Sequence, residues 1–221
     1  MSTVSIEVSD EKSFPGIVAD EIVASIQDAI DEQGSCSLVL AGGSTPAGVY
    51  RLLGRPPRSQ DVDWSCVRLF WGDERWVPKE DNQSNFHMVK ETLLSNISIP
   101  EENIINVNTS LASPAEAVKD YELTTRKALG FEGAYPSFDI MLLGIGEDGH
   151  TASLFPGGAE LNEAGMYTVA MRPDSGSERV SVTFPVIKNA KKIFFIVRGE
   201  AKADVVQAVL ETERPLVDLP A

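Results

Sequence analysis

The feature of this sequence that most constrains its fold is the alternation of short apolar runs with segments of helical periodicity. Residues 37–41, 67–71 and 138–143 are short and mostly apolar, as expected of strands that are buried on both faces. Residues 14–30 instead carry an apolar side chain every four positions, which is typical of one face of an α-helix. Strands that alternate with helices predict a mainly parallel sheet with helices on both faces.

Local signals set the expected bounds of further elements. Residues 3–8 alternate apolar and polar side chains and predict a first strand, and Gly34 predicts the end of the helix that follows. Ser113-Pro114-Ala115-Glu116 combines a capping box with proline at the first helical position, so a helix is expected from there to Leu129. Other expected elements are a helix at about residues 84–94, strands at residues 104–107, 167–171, 180–183 and 193–197, and a last helix from near Glu200.

The length of the chain and the absence of a convincing linker indicate one domain. A chain of 221 residues fits a single α/β domain. The most loop-like stretch, residues 54–63, is too short to separate two domains, and the sequence has no internal repeat. We therefore predict that residues 1–221 form one domain.

Composition and charge restrict the class of partner. The 19 Lys and Arg against 33 Asp and Glu give a net charge of −14, which argues against nucleic acid and against an anionic membrane surface. The negative net charge does not argue against small phosphorylated metabolites as ligands. Salt screens the field of the whole protein over roughly 8 Å, so a few cations can dominate inside a cleft. Two cysteines without a C-x-x-C spacing, an N-terminus without a signal-peptide pattern and no apolar run of about 20 residues favour the cytoplasm.

Three polar segments each follow a predicted strand. They are Gly42-Gly43-Ser44-Thr45-Pro46, Asp73-Glu74-Arg75 and Gly146-Glu147-Asp148-Gly149-His150. In open parallel sheets, ligands bind beyond the carboxyl ends of the strands. We therefore expect the three segments to meet in one cleft.

The first segment has the composition of an anion-binding loop. Gly42 and Gly43 let backbone N–H groups approach a ligand, Ser44 and Thr45 add hydroxyl donors, and the helix that follows directs its positive end at the same place. A tight strand-to-helix turn with a Ser or Thr cap explains the segment equally well on its own. The segment is neither a Walker loop nor a G-x-G-x-x-G fingerprint, so a nucleotide site is poorly supported.

The second and third segments carry the candidate catalytic and binding side chains. An imidazole can accept a proton from water at cellular pH, so His150 is the candidate general base, with Asp148 or Asp73 as its partner. Arg75 is the candidate for gripping an anionic group, although isolated charges of this kind are more often solvated ion pairs. Two distant histidines and no H-E-x-x-H argue against a metal site, and the absence of a G-x-S-x-G elbow argues against a serine hydrolase.

These segments together resemble one known family. Residues 40–46 read LAGGSTP, residues 73–78 read DERWVP and are followed by Ser84-Asn85, and residues 143–157 read LGIGEDGHTASLFPG. In order and spacing they are similar to the family of glucosamine-6-phosphate isomerases and 6-phosphogluconolactonases, with the lactonases as the nearer match. Members of the family usually continue beyond a Leu-Pro-Ala segment such as Leu219-Pro220-Ala221, so a final edge element of the sheet is expected to be missing here.

The resemblance implies a fold, an activity and a set of site residues. It implies a Rossmann-like α/β fold and the hydrolysis of 6-phospho-D-glucono-1,5-lactone to 6-phospho-D-gluconate in the oxidative pentose phosphate pathway, without a metal or an organic cofactor. His150 would activate water, and the chain would act as a monomer or a homodimer. The residues that would hold the phosphate or the sugar acid are Gly42, Gly43, Ser44, Thr45, Asp73, Arg75, Arg179 and Lys202.

Two other functions remain open from the sequence. Isomerase-deaminases of the same family carry an acidic residue shortly after the histidine, whereas here no carboxylate follows His150 until Glu160, which favours the lactonase. A non-catalytic sugar-phosphate sensor would be expected to lose the histidine or to add a DNA-binding segment. His150 is present and no basic helix-turn-helix extension is visible, so the sensor ranks third.

Overall fold

The computed structural model describes residues 4–211, 215 and 217–221 of the chain. Within them the strands are β1 (Cys36–Leu40), β2 (Val67–Trp71), β3 (Asp73–Arg75), β4 (Ile104–Ile105), β5 (Ile140–Leu143), β6 (Tyr167–Met171), β7 (Glu178–Val182) and β8 (Lys192–Phe195). The α-helices are α1 (Phe14–Gln33), α2 (Ser44–Leu53), α3 (Arg58–Asp61), α4 (Asn85–Thr92), α5 (Pro114–Leu129), α6 (Phe184–Lys188) and α7 (Ala203–Glu211).

The central sheet is parallel and has the strand order β4-β2-β1-β5-β8. Leu38 in the middle strand β1 pairs with Leu69 of β2 and with Ile140 of β5. Because the paired strands run in one direction, their carboxyl ends lie at the same edge of the sheet. The predicted fold class, a mainly parallel sheet with helices on both faces, is confirmed.

The core has two layers, one on each face of this sheet. Leu38 and Leu40 pack in the layer that contains residues of α1 and α2, and Val39 packs in the layer that contains residues of α5. All five residues of β1 are buried, as predicted for a strand covered on both faces. Full burial of one large aliphatic side chain contributes about 1.5–3 kcal/mol, so this strand anchors the loop that follows it.

A second, antiparallel sheet lies over one layer of the core. Its order is β3-β7-β6, so the short strand β3, which carries Asp73 and Arg75, pairs with β7 and not with the central sheet. The sequence predicts β6 and β7 as strands but not their pairing with β3. Val180 and Val182 of β7 face the same core layer as Val39.

Helix ends follow the sequence signals. Gly34 adopts the left-handed conformation at φ 77° and donates to the Ile30 carbonyl at 2.7 Å, which ends α1. Ser113 accepts from the Glu116 N–H at 3.3 Å, and Gly130 ends α5 at φ 64°. These ends confirm the predicted starts and stops of α1 and α5.

The prediction of a first strand at residues 3–8 is wrong for the described residues 4–8, and Thr3 lies outside them. These residues form no strand, and Val4, Ile6 and Val8 are 76%, 65% and 89% exposed. Alternation of apolar and polar residues stabilises a strand only where one face is buried and a neighbour accepts its hydrogen bonds, and this segment has neither.

Smaller differences concern lengths and short helices. The predicted strand at residues 104–107 is reduced to the two residues of β4, and β5 begins at Ile140 instead of Phe138. α3 and α6 were not predicted, because helices of four and five residues carry too little periodicity to be recognised. In the described part of the chain, no helix is both long enough and apolar enough to cross a membrane.

Candidate active site

The three polar segments meet in one open cleft with a cavity volume of about 230 Å³, at the carboxyl ends of β1, β2 and β5. A cleft of this size is suited to a small molecule. Of the residues predicted to form the site, those that line the cleft are Gly42, Gly43, Ser44, Thr45, Asp73, Arg75, Arg179 and His150. Asp148 and Lys202 are not among the lining residues.

The glycine loop is held from below by a buried tyrosine. The Tyr50 hydroxyl accepts from the Ala41 N–H and donates to the Ala41 carbonyl, both at 2.9 Å, and so fixes the end of β1. A Cβ atom at Gly42 would overlap the Asn85 side chain, which explains the need for glycine at this close approach. No side chain caps α2, which begins at Ser44, so N–H groups of its first turn remain available to a ligand.

The Glu74 carboxylate belongs to the interior. It is 2% exposed, and its oxygens accept from the backbone N–H groups of Arg75, Asn85 and Phe86 at 2.7–2.8 Å. Ser84 adds a longer hydrogen bond at 3.3 Å. Burial raises the pKa of Glu74 despite these donors. Glu74 therefore ties β3 to the start of α4.

The Asp73 carboxylate joins two of the site segments. One oxygen accepts from the Ser153 hydroxyl at 2.7 Å, and the other accepts from the Asn85 amide at 3.2 Å. Ser153 is fully buried, and its backbone N–H donates to the Ser181 hydroxyl at 3.1 Å. Asp73 lines the cleft, but both of its oxygens already accept hydrogen bonds from other parts of the fold.

Arg75 and Arg179 lie side by side on neighbouring strands, directly paired across β3 and β7. Arg179 is 8% exposed, and the Nε atoms of both arginines are buried without a hydrogen-bond partner among the residues that the structure describes. One Nη group of Arg75 donates to the Gln83 carbonyl at 2.6 Å. Burial, followed by the charge of Arg75, lowers the pKa of Arg179. Two adjacent guanidinium groups with unused donors favour the binding of an anion.

His150 lines the cleft and is hydrogen-bonded to Asp148. The His150 ring Nδ1 lies 2.5 Å from an Asp148 carboxylate oxygen, which also accepts from the His150 backbone N–H at 3.1 Å. Burial opposes ionisation of Asp148, but these hydrogen bonds outweigh it and the pKa of Asp148 is lowered. The opposite ring nitrogen, Nε2, is left as the acceptor when Nδ1 donates to Asp148.

The His150 ring is further held by packing. Its centroid lies 4.9 Å from that of Phe155, which is buried. A Cβ atom at Gly146 would overlap the imidazole ring, so glycine is required where the turn folds back over the histidine. Of the two carboxylates that the sequence left open as its partner, Asp148 contacts the imidazole, whereas Asp73 binds Ser153 and Asn85.

Lys202 stands beside the cleft instead of lining it. It ends a short 3₁₀ turn at residues 200–202, and its Nζ lies 3.9 Å from a Glu147 carboxylate oxygen. Glu147 belongs to the loop of Asp148 and His150, so this ion pair joins Lys202 to that loop. In the described part of the chain, no group of three or more His, Cys, Asp or Glu residues could hold a metal ion.

Sequence reasoning missed two arginines of the cleft, Arg172 and Arg198. Arg172 follows β6 and forms an ion pair with Asp174 at 2.7 Å, and Arg198 forms one with Glu11 at 2.7 Å. Neither lies in one of the recognisable strand-end motifs. Only the pairing of β6 with β7, a contact between strands, would have placed Arg172 near Arg179.

Comparisons with known proteins agree with this architecture. Residues 9–221 match the family described as glucosamine-6-phosphate isomerases/6-phosphogluconolactonase. The chain is 38% identical to a 6-phosphogluconolactonase of Treponema pallidum over 205 residues, which cover 92% of this chain and 84% of that protein. It is 35% identical over 232 residues to a 6-phosphogluconolactonase of Mycobacterium leprae, covering 99% and 90% of the two chains.

Solved structures show the same likeness. The 6-phosphogluconolactonase of Thermotoga maritima superposes with a TM-score of 0.84 at 31% identity, covering 96% of this chain and 90% of that one. A monomeric glucosamine-6-phosphate deaminase superposes with a TM-score of 0.81 at 23% identity, covering 98% and 90%. The second likeness shows that the fold is common to proteins named for two different reactions.

Proposed function

The chain belongs to the family of glucosamine-6-phosphate isomerases and 6-phosphogluconolactonases, and from that premise we propose that it hydrolyses 6-phospho-D-glucono-1,5-lactone to 6-phospho-D-gluconate. The relatives named above are 6-phosphogluconolactonases at 35–38% identity over more than nine-tenths of this chain. Such an enzyme is a carboxylic ester hydrolase, because a lactone is an internal ester. The predicted setting is the cytoplasm, with no nucleic-acid or membrane partner, as a monomer or a homodimer.

One observation carries the proposal. The imidazole of His150, oriented by Asp148, faces the same cleft as Arg75 and Arg179, whose Nε atoms are buried without a partner. A general base and an anion-binding group that line one small cleft are what hydrolysis of a phosphorylated lactone requires. The guanidinium groups fix the phosphate, and the distant phosphate thereby positions the reacting carbonyl.

His150 acts as the general base in the proposed reaction. Nδ1 donates to the Asp148 carboxylate, and Nε2 accepts a proton from water as the water oxygen attacks the lactone carbonyl. Asp148 keeps its negative charge and stabilises the imidazolium that forms. Proton transfer of this kind contributes typically about 10²–10⁴-fold to the rate.

The negative charge that develops on the carbonyl oxygen requires hydrogen-bond donors in the cleft. The N–H groups of the glycine loop and of the first turn of α2 supply them, since Gly43 and Ser44 line the cleft and no side chain caps the helix. When the ring opens, the ring oxygen leaves as an alcohol and takes the proton that His150 accepted from water. The product is the sugar acid with its phosphate unchanged.

Asp73 holds the two sides of the site together in this proposal. Its hydrogen bonds to Ser153 and Asn85 join the loop of His150 to the start of α4, against which Gly42 packs. Lys202 contacts the histidine loop through Glu147, and in this proposal it approaches the bound phosphate from there.

An isomerase-deaminase is the nearest alternative, and Glu160 argues against it. Glu160 is the first carboxylate after His150, but it is 8% exposed and accepts from the Phe155 N–H at 3.1 Å. It does not line the cleft, so it cannot transfer a proton to a ligand there. A non-catalytic sensor would not need a histidine with an oriented ring, which ranks that function third.

The experiment is an assay of lactone hydrolysis on freshly made 6-phospho-D-glucono-1,5-lactone, corrected for spontaneous hydrolysis, with glucosamine 6-phosphate in a parallel assay. We expect lactone hydrolysis well above the spontaneous rate and no release of ammonia. Release of ammonia without lactone hydrolysis would replace the lactonase with the deaminase. Binding of either phosphosugar without turnover would favour the sensor.

A further inference from the structure

Arg172 is a cleft residue to which neither the family motifs nor the mechanism above gives a role. It directly follows β6 and lines the cleft together with His150 and Arg179. Its backbone is fixed by the hairpin between β6 and β7, because its N–H donates to the Ser177 carbonyl at 3.0 Å and its carbonyl accepts from Gly176 at 2.8 Å. The side chain therefore starts from a rigid position.

The guanidinium group of Arg172 has donors to spare. Its Nε lies 2.7 Å from an Asp174 carboxylate oxygen, and the pair is solvent-accessible, with side-chain exposures of 38% and 65%. This contact uses one of the five N–H donors of an arginine. Among the described residues, no acceptor lies within hydrogen-bond distance of its Nη groups. Four donors thus remain for a ligand in the cleft.

The charge of Arg172 interacts with two parts of the site, Arg179 and the loop of His150. After burial and the charge of Arg75, the charge of Arg172 is among the causes that lower the pKa of Arg179. Asp174 is the main cause that raises the pKa of Arg172, and Asp148, the partner of His150, also contributes. The Arg172 charge therefore acts both on the buried Arg179 and on the loop that carries the general base.

Three residues that line the cleft, Arg75, Arg172 and Arg179, therefore carry guanidinium groups that interact electrostatically, because the charges of the first two act on the third. In the described part of the chain, Asp73 is the one acidic residue that lines the cleft, and it already accepts hydrogen bonds from Ser153 and Asn85. Three like charges repel one another, and a ligand with two negative charges and several acceptor oxygens offsets this repulsion. A phosphate monoester has that chemistry.

We propose that Arg172 is a specificity-determining residue that donates hydrogen bonds to the substrate phosphate beside Arg179 and so selects phosphorylated over unphosphorylated lactones. This inference rests on the proposed function, because the selected ligand is the substrate of that reaction. The proposed role is phosphate recognition. The alternative is a role in proton transfer, in which Arg172 would act through Asp148 on His150.

The test compares Arg172→Gln and Arg172→Lys with the wild type on two substrates, 6-phospho-D-glucono-1,5-lactone and unphosphorylated D-glucono-1,5-lactone. We expect Arg172→Gln to lower kcat/KM on the phosphorylated lactone about 10-fold, mainly through KM, and to change it less than 2-fold on the other lactone. Arg172→Lys keeps the charge but loses the planar set of donors. We therefore expect it to recover about half of the loss in log(kcat/KM) on the phosphorylated lactone.

A matched control removes a similar ion pair far from the cleft. Arg58 pairs with Asp20 at 2.6 Å and does not line the cleft, so Arg58→Gln makes the same change in net charge. We expect this variant to keep wild-type values on both substrates. An equal loss on both substrates in Arg172→Gln, or no loss on either, would overturn the inference, since it would mean an effect on His150 or a solvated ion pair.

A binding measurement keeps the inference separate from the proposed function. Inorganic phosphate is titrated calorimetrically into the wild type, Arg172→Gln and Arg58→Gln. We expect a dissociation constant about 5–10-fold larger for Arg172→Gln alone. If the wild type hydrolyses neither lactone, the proposed function fails while this titration still decides the role of Arg172. Equal dissociation constants in all three proteins would reject that role.

Discussion

Two groups of charged side chains meet at the cleft, and the fold treats them in opposite ways. The carboxylate network consists of Asp73, Glu74 and their partners Asn85 and Ser153, and every carboxylate oxygen in it accepts a hydrogen bond. The arginine wall consists of Arg75, Arg172 and Arg179, and two of its buried Nε atoms have no partner. Buried polar groups are almost always hydrogen-bonded, so an unsatisfied group needs an explanation.

The difference indicates which charges serve the fold and which serve a ligand. The carboxylate network is complete without any bound molecule and ties β3 to α4 and to the histidine loop. The arginine wall is incomplete, because like charges lie next to each other with unused donors. We therefore expect substitutions in the first group to lower stability and substitutions in the second to lower binding and turnover.

Among the substitutions that test this comparison, the largest effect is expected from Arg179→Gln. The loss of a charge-assisted hydrogen bond to phosphate, at about 1.5–3 kcal/mol, predicts a fall in kcat/KM of about 100-fold. The midpoint of thermal unfolding is expected not to fall, because the variant removes a buried charge that repels Arg75. Steady-state kinetics together with calorimetric melting tests both parts. A large drop in the melting temperature would show that Arg179 stabilises the fold, as the carboxylate network does, and would contradict the distinction between the two groups.

Glu74→Gln is the corresponding substitution in the carboxylate network. An amide has one acceptor oxygen and adds an NH₂ group that faces backbone donors, so three buried N–H groups lose part of their hydrogen bonding. We expect a loss of about 2 kcal/mol in the free energy of unfolding, measured by urea denaturation. The dissociation constant for inorganic phosphate, measured on the folded protein, is expected to change little. A variant of normal stability with weak phosphate binding would reverse the assignment.

Asp148→Asn tests a charged residue that belongs to neither group. Asp148 is a carboxylate, like the first group, but it contacts the ring of His150. Its lowered pKa keeps it charged at about pH 5 and above, so its contribution to stability is lost only at more acidic pH, as the carboxylate is protonated. We expect kcat to fall about 10-fold and the acid limb of the pH–activity profile to move to lower pH, since the negative charge that favours the imidazolium is gone. An unchanged profile would show that Asp148 does not act through His150.

The smallest effect is expected from Ser153→Ala. This variant removes one hydrogen bond to Asp73 and leaves the second carboxylate oxygen bound to Asn85. We expect a loss of about 1 kcal/mol in the free energy of unfolding, with kcat within about 3-fold of the wild type. Chemical denaturation and kinetics on the same preparation test this. A loss of kcat without a loss of stability would contradict this expectation, because it would show that the carboxylate network takes part in catalysis.

The sequence predicts the elements that carry strong local signals. Residues close together in the chain predict the buried strands β1 and β2 and the caps of α1 and α5. The meeting of the three strand-end loops in one cleft follows from the parallel arrangement of those strands. Residues 4–8 show the limit of this reasoning, because their alternation is typical of a strand although no neighbouring strand pairs with them. A strand depends on contacts that the segment itself does not contain.

The site shows the same limit. The sequence favours Asp148 as the residue that orients His150 but leaves Asp73 open, and only the folded distances decide between them. Arg172 carries no motif and enters the cleft because β6 pairs with β7, which itself pairs with β3. Tyr50 and Tyr121, whose hydroxyls hold the backbone of Ala41 and Trp71, likewise depend on long-range packing.

The most direct test of the central claim is the turnover of His150→Asn on 6-phospho-D-glucono-1,5-lactone, measured beside its affinity for 6-phospho-D-gluconate. If one imidazole faces an anion held by the arginine wall, kcat falls about 10²–10⁴-fold while the dissociation constant of the sugar acid stays within about 3-fold of the wild type. Near-normal turnover in this variant would contradict the account.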